Sequence, residues 1–198
     1  MSDLLARLKA ETQDCHQSLE DALDIMCPSM QRGEYLSLLA GFRGFVVPWE
    51  VALAASLPAA MRDFALQREK TALLDDDLRF MSDGTCIPAL LPQCTIDWPM
   101  DTVAQCLGSM YVMEGSTLGG RIIGPAMASR FNLSDRRGYA YFDPYGDRTG
   151  SMWNAFKALA TSCVPDNDID QAVIAARATF EALEVWLCSP GRQSTGMR

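Results

Sequence analysis

Apolar residues recur at helical spacing along almost the whole chain, and this periodicity restricts its possible folds more than any other feature. Leu4, Leu8, Cys15, Leu19, Leu23 and Met26 trace one face of a first helix, predicted over residues 3–25 and ending before Cys27-Pro28. A second helix, with Ser29 as its cap, carries Tyr35, Leu38, Leu39, Phe42 and Phe45, and Pro48 should kink or restart it. A third begins after Pro58 and continues through Met61, Phe64, Ala65, Arg68, Ala72, Leu73 and Phe80. Residues 83–99 contain Gly84, Pro88, Pro92 and Pro99 and read as a connection. A long helix over 102–130 is followed by a glycine- and tyrosine-bearing loop over 132–150, then by helices over 151–163 and 168–188. The polar tail, 189–198, is expected to fray. No period-two alternation survives over more than a few residues. The expected fold class is therefore all-α, a single multi-helical domain over 1–198.

The long helix has an unusual interior. Tyr111-Val112-Met113-Glu114-Gly115-Ser116-Thr117-Leu118-Gly119-Gly120 places three glycines where each costs roughly 0.8–1.0 kcal/mol relative to alanine. Adjacent glycines also invite a bend. Gly115 and Gly119 share one face, and Gly120 widens it. Such a strip lets a flat body lie against bare backbone, or lets a second helix pack closely. The pattern alone leaves both readings open.

Composition removes several classes of function. Acidic residues outnumber basic ones 25 to 17, for a net charge of −8, which argues against nucleic acid as the main partner. No run of 18 apolar residues occurs, so no membrane-spanning helix is expected. The first residues lack a secretory signal pattern. Seven cysteines, an odd number at wide spacing with no CxxC, read as reduced core residues rather than a disulfide framework or zinc site. Together these point to the cytoplasm.

The only histidine, His16, lies beside the apolar stripe of the first helix. Imidazole can hold a haem iron through one nitrogen and leave the opposite face for dioxygen. Glu20, four residues on, is placed to meet the other ring nitrogen and orient a metal-bound imidazole. Lys9 lies two turns earlier, roughly 10 Å along the axis, within reach of a carboxylate on the same ligand. Singly, each of these residues is as well explained by packing or surface charge.

Taken together, the segments resemble a known family. Leu8-Lys9-Ala10-Glu11-Thr12-Gln13-Asp14-Cys15-His16 is similar to the proximal-helix signature of haem oxygenases, and residues 111–120 resemble the distal-helix signature of their bacterial branch. Arg68–Leu78 and Thr179-Phe180…Leu183…Trp186-Leu187 fit the family's connecting helices, in the expected order. The resemblance implies a bundle holding haem b (iron protoporphyrin IX), as both cofactor and substrate, between the first helix and a kinked, glycine-rich distal helix. It implies His16 as the metal ligand and Gly115, Ser116, Gly119 and Gly120 as the catalytic distal strip. Lys9, Glu20 and Tyr111 join the haem-binding set, and Arg148 and Lys157 are further basic candidates.

The implied reaction takes haem, dioxygen and reducing electrons to biliverdin, carbon monoxide and ferrous iron. Electrons would come from a ferredoxin or flavin reductase, docking near Arg121, Arg130, Arg136 or Arg137, and the pigment could pass to a bacterial phytochrome. Two departures stand out. Ser116 occupies a position that is acidic in mammalian-type members, so proton delivery would rely on ordered water. Gln13 replaces a lysine found in other members, which bears on how the haem is rotated and which meso carbon is cut.

A non-catalytic haem-binding or haem-sensing protein of the same fold needs the same ligands and stays open. A di-iron oxidase needs Glu-x-x-His pairs from separate helices, which one histidine cannot supply. A thiaminase-like hydrolase needs an activated cysteine. Cys106 is on the appropriate helix, but nothing in sequence near it would lower its pKa.

Overall fold

The computed structural model describes residues 3–189, and among these no strand forms. Eight α-helices follow in chain order: α1 (Asp3–Glu11), α2 (Gln13–Leu23), α3 (Arg32–Ser56), α4 (Ala59–Leu66), α5 (Thr71–Met81), α6 (Val103–Phe131), α7 (Thr149–Cys163) and α8 (Ile169–Cys188). Nearly all of the predicted tail lies outside the described residues.

The helix predicted over 3–25 is two helices. Thr12, buried, turns its hydroxyl back onto the Leu8 carbonyl at 2.7 Å and leaves helical geometry at ψ 1°. Back-bonding of this kind competes with the helix ladder and bends it. The bend gives α1 and α2 independent directions, both packed on α8.

Pro48, expected to interrupt the second helix, sits inside an unbroken α3. A proline there leaves the carbonyl four residues earlier without its helical donor. That carbonyl belongs to Gly44, and the Cys94 amide donates to it at 2.9 Å. The 83–99 connection docks on α3 and supplies the missing bond. The helix starts at Arg32, not just after Ser29, because Gln31 and Glu34 form a reciprocal capping box.

The helix predicted from Met61 to Phe80 also divides, into α4 and α5. Glu50 of α3 accepts the Lys70 amide at 2.6 Å and the Thr71 hydroxyl at 2.5 Å, so it caps α5 from outside. In the intervening link, Arg68 and Lys70 are 4% and 2% exposed. Basic residues between two amphipathic stretches read as solvated charge. Here they point inward.

α8 lies at the centre and packs most extensively on α6. The two backbones approach so closely that a Cβ on Gly108 would lie 2.0 Å from the Ala172 carbonyl oxygen. A buried chain crosses three helices: Trp49 Nε1 donates to Ser109 Oγ at 2.8 Å, and the Thr179 and Ser109 hydroxyls are 2.8 Å apart. By length and hydropathy α3 is the one described helix that passes as a membrane span, contrary to the sequence expectation. Over half of that stretch is buried inside the protein, and it carries Arg43, paired with Asp75 at 2.5 Å. This is the pattern of a core helix.

Candidate functional site

α2 is clamped to α8 by charge. Arg177 forks onto Asp14, with Nη1 to Oδ1 at 2.8 Å and Nη2 to Oδ2 at 2.9 Å, and also donates to the Glu11 carbonyl. The fork holds the Asp14 carboxyl at about 2, below the ordinary range. Cys15 and Leu19 are buried beneath. His16 therefore stands on a fixed rim, its side chain 53% exposed and its ring edge-on to Phe180 at 5.7 Å. Glu20 Oε1 is 3.6 Å from His16 Nε2, too long for a hydrogen bond. Glu20 thus lies beside Nε2 without bonding it. Lys9 is exposed in the last turn of α1, where positive charge also complements the helix C-terminus.

On α6 the glycine segment stays within one continuous helix. An ideal Cβ on Gly119 would meet nothing within 4 Å, and one on Gly115 would meet only the Trp153 ring, at 3.8 Å. Gly119 presents bare backbone to open space, and Gly115 presents it beside the Trp153 ring. Gly120 faces elsewhere: a Cβ there would lie 1.9 Å from the Phe142 carbonyl oxygen, so its role is to admit the 132–148 loop. Ser116 is exposed and donates to the Met113 carbonyl at 3.0 Å, while Thr117 does the same to Glu114 at 2.7 Å. These bonds serve helix carbonyls at the point where the glycines weaken the ladder.

Tyr111 joins the two halves. Its half-buried ring meets Trp153 at 5.7 Å, and its hydroxyl lies near the Thr12 side chain at the α1–α2 bend. His16 stands four residues beyond Thr12, and Gly115 four beyond Tyr111. Each is roughly 6 Å further along its helix. The histidine and the bare strip thus both lie within a turn or so of one seam.

Several contributors escaped the sequence reading. Trp153 walls the strip at Gly115, and only its position among the helical residues of 151–163 hinted at this. Glu114 is 1% exposed, and its Oε1 accepts from Lys70 Nζ and from the Tyr145 hydroxyl, each at 2.8 Å. Arg68 Nε is 3.2 Å from the other carboxylate oxygen, close enough to attract but misaligned for a hydrogen bond. Removing the one anion would strand two buried cations, at a cost of about 3–5 kcal/mol. The motif carried no sign of this, since an acid in a helix usually faces water.

The basic candidates divide. Arg130 donates to the Met26 carbonyl at 3.3 Å, Arg136 pairs with Asp143 at 3.4 Å, and Arg137 lies 4.4 Å over the Phe80 ring. Lys157 approaches the Trp153 ring at 5.9 Å, and Arg121 and Arg148 are exposed. Cys106 is fully buried, donates to the Met100 carbonyl at 3.3 Å, and burial pushes its thiol up to about 11. That is the opposite of an activated nucleophile. Among the described residues, no group of three or more His, Cys, Asp or Glu side chains is gathered to hold a metal ion, as a di-iron site would need.

A family model described as "Heme oxygenase" matches residues 2–188. The chain belongs to the haem oxygenase family. Solved haem oxygenases share its fold. The one from Leptospira interrogans is 17% identical, with a TM-score of 0.73, over 94% of this chain and 99% of that one. The NO- and CO-bound haem oxygenase of Neisseria meningitidis is 19% identical, with a TM-score of 0.71, over 93% and 89%. Haem oxygenase 2 of Chlamydomonas reinhardtii, solved without haem, is 18% identical, with a TM-score of 0.73, over 95% and 97%. No curated protein sequence gives a significant match. As a haem oxygenase family member the chain is an oxidoreductase of all-α fold.

Proposed function

We propose that this enzyme opens haem b to biliverdin, carbon monoxide and ferrous iron, with haem held between α2 and α6. The observation that supports this best is that the chain's only histidine, half exposed on α2, and a side-chain-free strip at Gly115 and Gly119 on α6 each lie four residues from the neighbouring Thr12 and Tyr111. The residues fit the group: one accessible imidazole, and a strip of backbone that carries no side chains. Haem, when bound, supplies the iron chemistry that activates dioxygen and is itself the molecule oxidised.

The chain's own groups do the rest. His16 would hold the haem iron, and the Arg177–Asp14 fork and buried Leu19 tie its helix to α8. Glu20, beside Nε2 in this structure, would orient the imidazole through its second nitrogen once the ring turns Nε2 to the iron. Gly115 and Gly119 would let main chain approach the bound group where a side chain would keep it away. Ser116, its proton given to the Met113 carbonyl, keeps oxygen lone pairs with which to order water. Gly120 supports the strip from behind. Lys9 offers an exposed positive charge to a propionate, and Tyr111 lines the seam.

Electrons come from a ferredoxin or flavin reductase, with Arg121, Arg148 and Lys157 as the available basic positions. A phytochrome is a candidate recipient of the pigment. Buried reduced thiols such as Cys15 and Cys106 suit the cytoplasm.

Adding ascorbate in air to the hemin-loaded protein tests the reading. Loss of the Soret band with growth of a broad red biliverdin band is expected. A stable haem spectrum would instead identify a non-catalytic haem binder.

A further inference from the structure

We propose that Glu114 is a positioning residue whose buried ion cluster fixes the rotation of α6 about its own axis, and so aims the glycine strip. Its effect on haem chemistry rests on the function proposed above. The positioning itself does not.

Successive helix residues are about 100° apart, so with Glu114 pointing inward Gly115 falls about 100° round and Gly119 about 140° round on the same side, while Gly120 falls on the other side. This is the arrangement observed, with Gly119 open, Gly115 bordered by the Trp153 ring, and Gly120 against Phe142. Three partners converge on the carboxylate from two segments. Arg68 and Lys70 come from the α4–α5 link, and Tyr145 from the 132–148 loop. Lys70 also donates to the Arg68 carbonyl at 3.0 Å.

Arg68 extends the cluster to the opposite wall. It donates to the Phe64 carbonyl at 3.0 Å and to the Met152 carbonyl at 3.2 Å, and lies 3.4 Å over the Phe64 ring. Met152 precedes Trp153, the ring that borders Gly115. The carboxylate one residue before Gly115 and the guanidinium bound one residue before Trp153 therefore belong to a single cluster. Apolar packing in place of a buried ion pair is commonly as stable or more so. What the charges add is direction, because each hydrogen bond must be met at its own angle.

The test compares amide hydrogen exchange in the full-length protein without haem, for wild type, Glu114→Gln, Tyr145→Phe and the surface control Arg79→Ala. Exchange at residues 115–120 should rise about tenfold in Glu114→Gln and a few-fold in Tyr145→Phe, with the α8 core at 172–176 unchanged. The control should match wild type. Rises of equal size at 172–176, or none at 115–120, would overturn the proposal and leave the cluster a general stabiliser. If Glu114→Gln does not fold, Tyr145→Phe, which keeps all three charges, decides alone.

With hemin, variants that retain the wild-type coordination spectrum should give a changed biliverdin isomer ratio. An unchanged ratio beside a local rise in exchange would refute the link to chemistry. Failure of wild type to bind hemin would refute the haem reading, and the exchange comparison would still decide the positioning role.

Discussion

Gly119 and Gly120 are neighbours in sequence with opposite surroundings: a Cβ on the first meets nothing within 4 Å, and a Cβ on the second would sit 1.9 Å from the Phe142 carbonyl oxygen. One faces open space. The other leaves space for the chain itself.

Alanine at the two positions should therefore act in opposite directions. Gly119→Ala should stabilise the fold by up to about 1 kcal/mol through helix propensity. Gly120→Ala must displace backbone of the 132–148 loop and should cost about 1–3 kcal/mol or more. Chemical denaturation measures both, and equal effects would contradict the assignment.

Larger substitutions at Gly119 should separate folding from binding. Gly119→Leu fills the open strip without meeting protein, so helical content and melting temperature should stay near wild type while hemin affinity or turnover falls at least about tenfold. Full activity would mean that the strip has no part in the site.

His16→Ala removes a half-exposed ring whose one aromatic neighbour is Phe180. The loss of stability should be within about 1 kcal/mol, and the haem spectrum should lose its histidine-ligated form. Added imidazole should restore it. An unchanged spectrum would show that another residue ligates the iron.

Asp77 provides a pH test of the loop behind α6. The carboxylate, 1% exposed, accepts the amides of Gly138 at 2.8 Å, Ala140 at 3.1 Å and Tyr141 at 2.9 Å. Burial raises it to about 6 despite these donors, against 3.8 as the ordinary value. The folded protein binds this proton more tightly than the unfolded chain does, so its contribution to stability is greatest below pH 4 and declines as pH rises to about 6, by about 2–3 kcal/mol. Asp77→Asn lacks the titration. The stability advantage of wild type over Asp77→Asn should therefore shrink between pH 4 and pH 7, and a widening gap would contradict the account.

Helix content and order were legible in the sequence because apolar spacing reports directly on burial. Boundaries failed where a group outside the helix ladder intervened: Thr12 back-bonding Leu8 and bending α1 from α2, the Cys94 amide relieving Pro48, and Glu50 capping α5. The last two have no local signature. His16 was conspicuous by being single, and Gly115 and Gly119 by their cost in a helix. Glu114, Lys70 and Arg68 were hidden because buried charge and surface charge look alike until the fold brings partners together. Gly120 was grouped with the strip because adjacency in sequence conceals a rotation of about 100°.

The most direct measurement is a crystal structure of the protein with hemin. The account predicts porphyrin between α2 and α6, iron bonded to His16 Nε2, and the backbone of Gly115 and Gly119 in contact with the opposite face. Porphyrin bound elsewhere, or iron held by a different side chain, would contradict it.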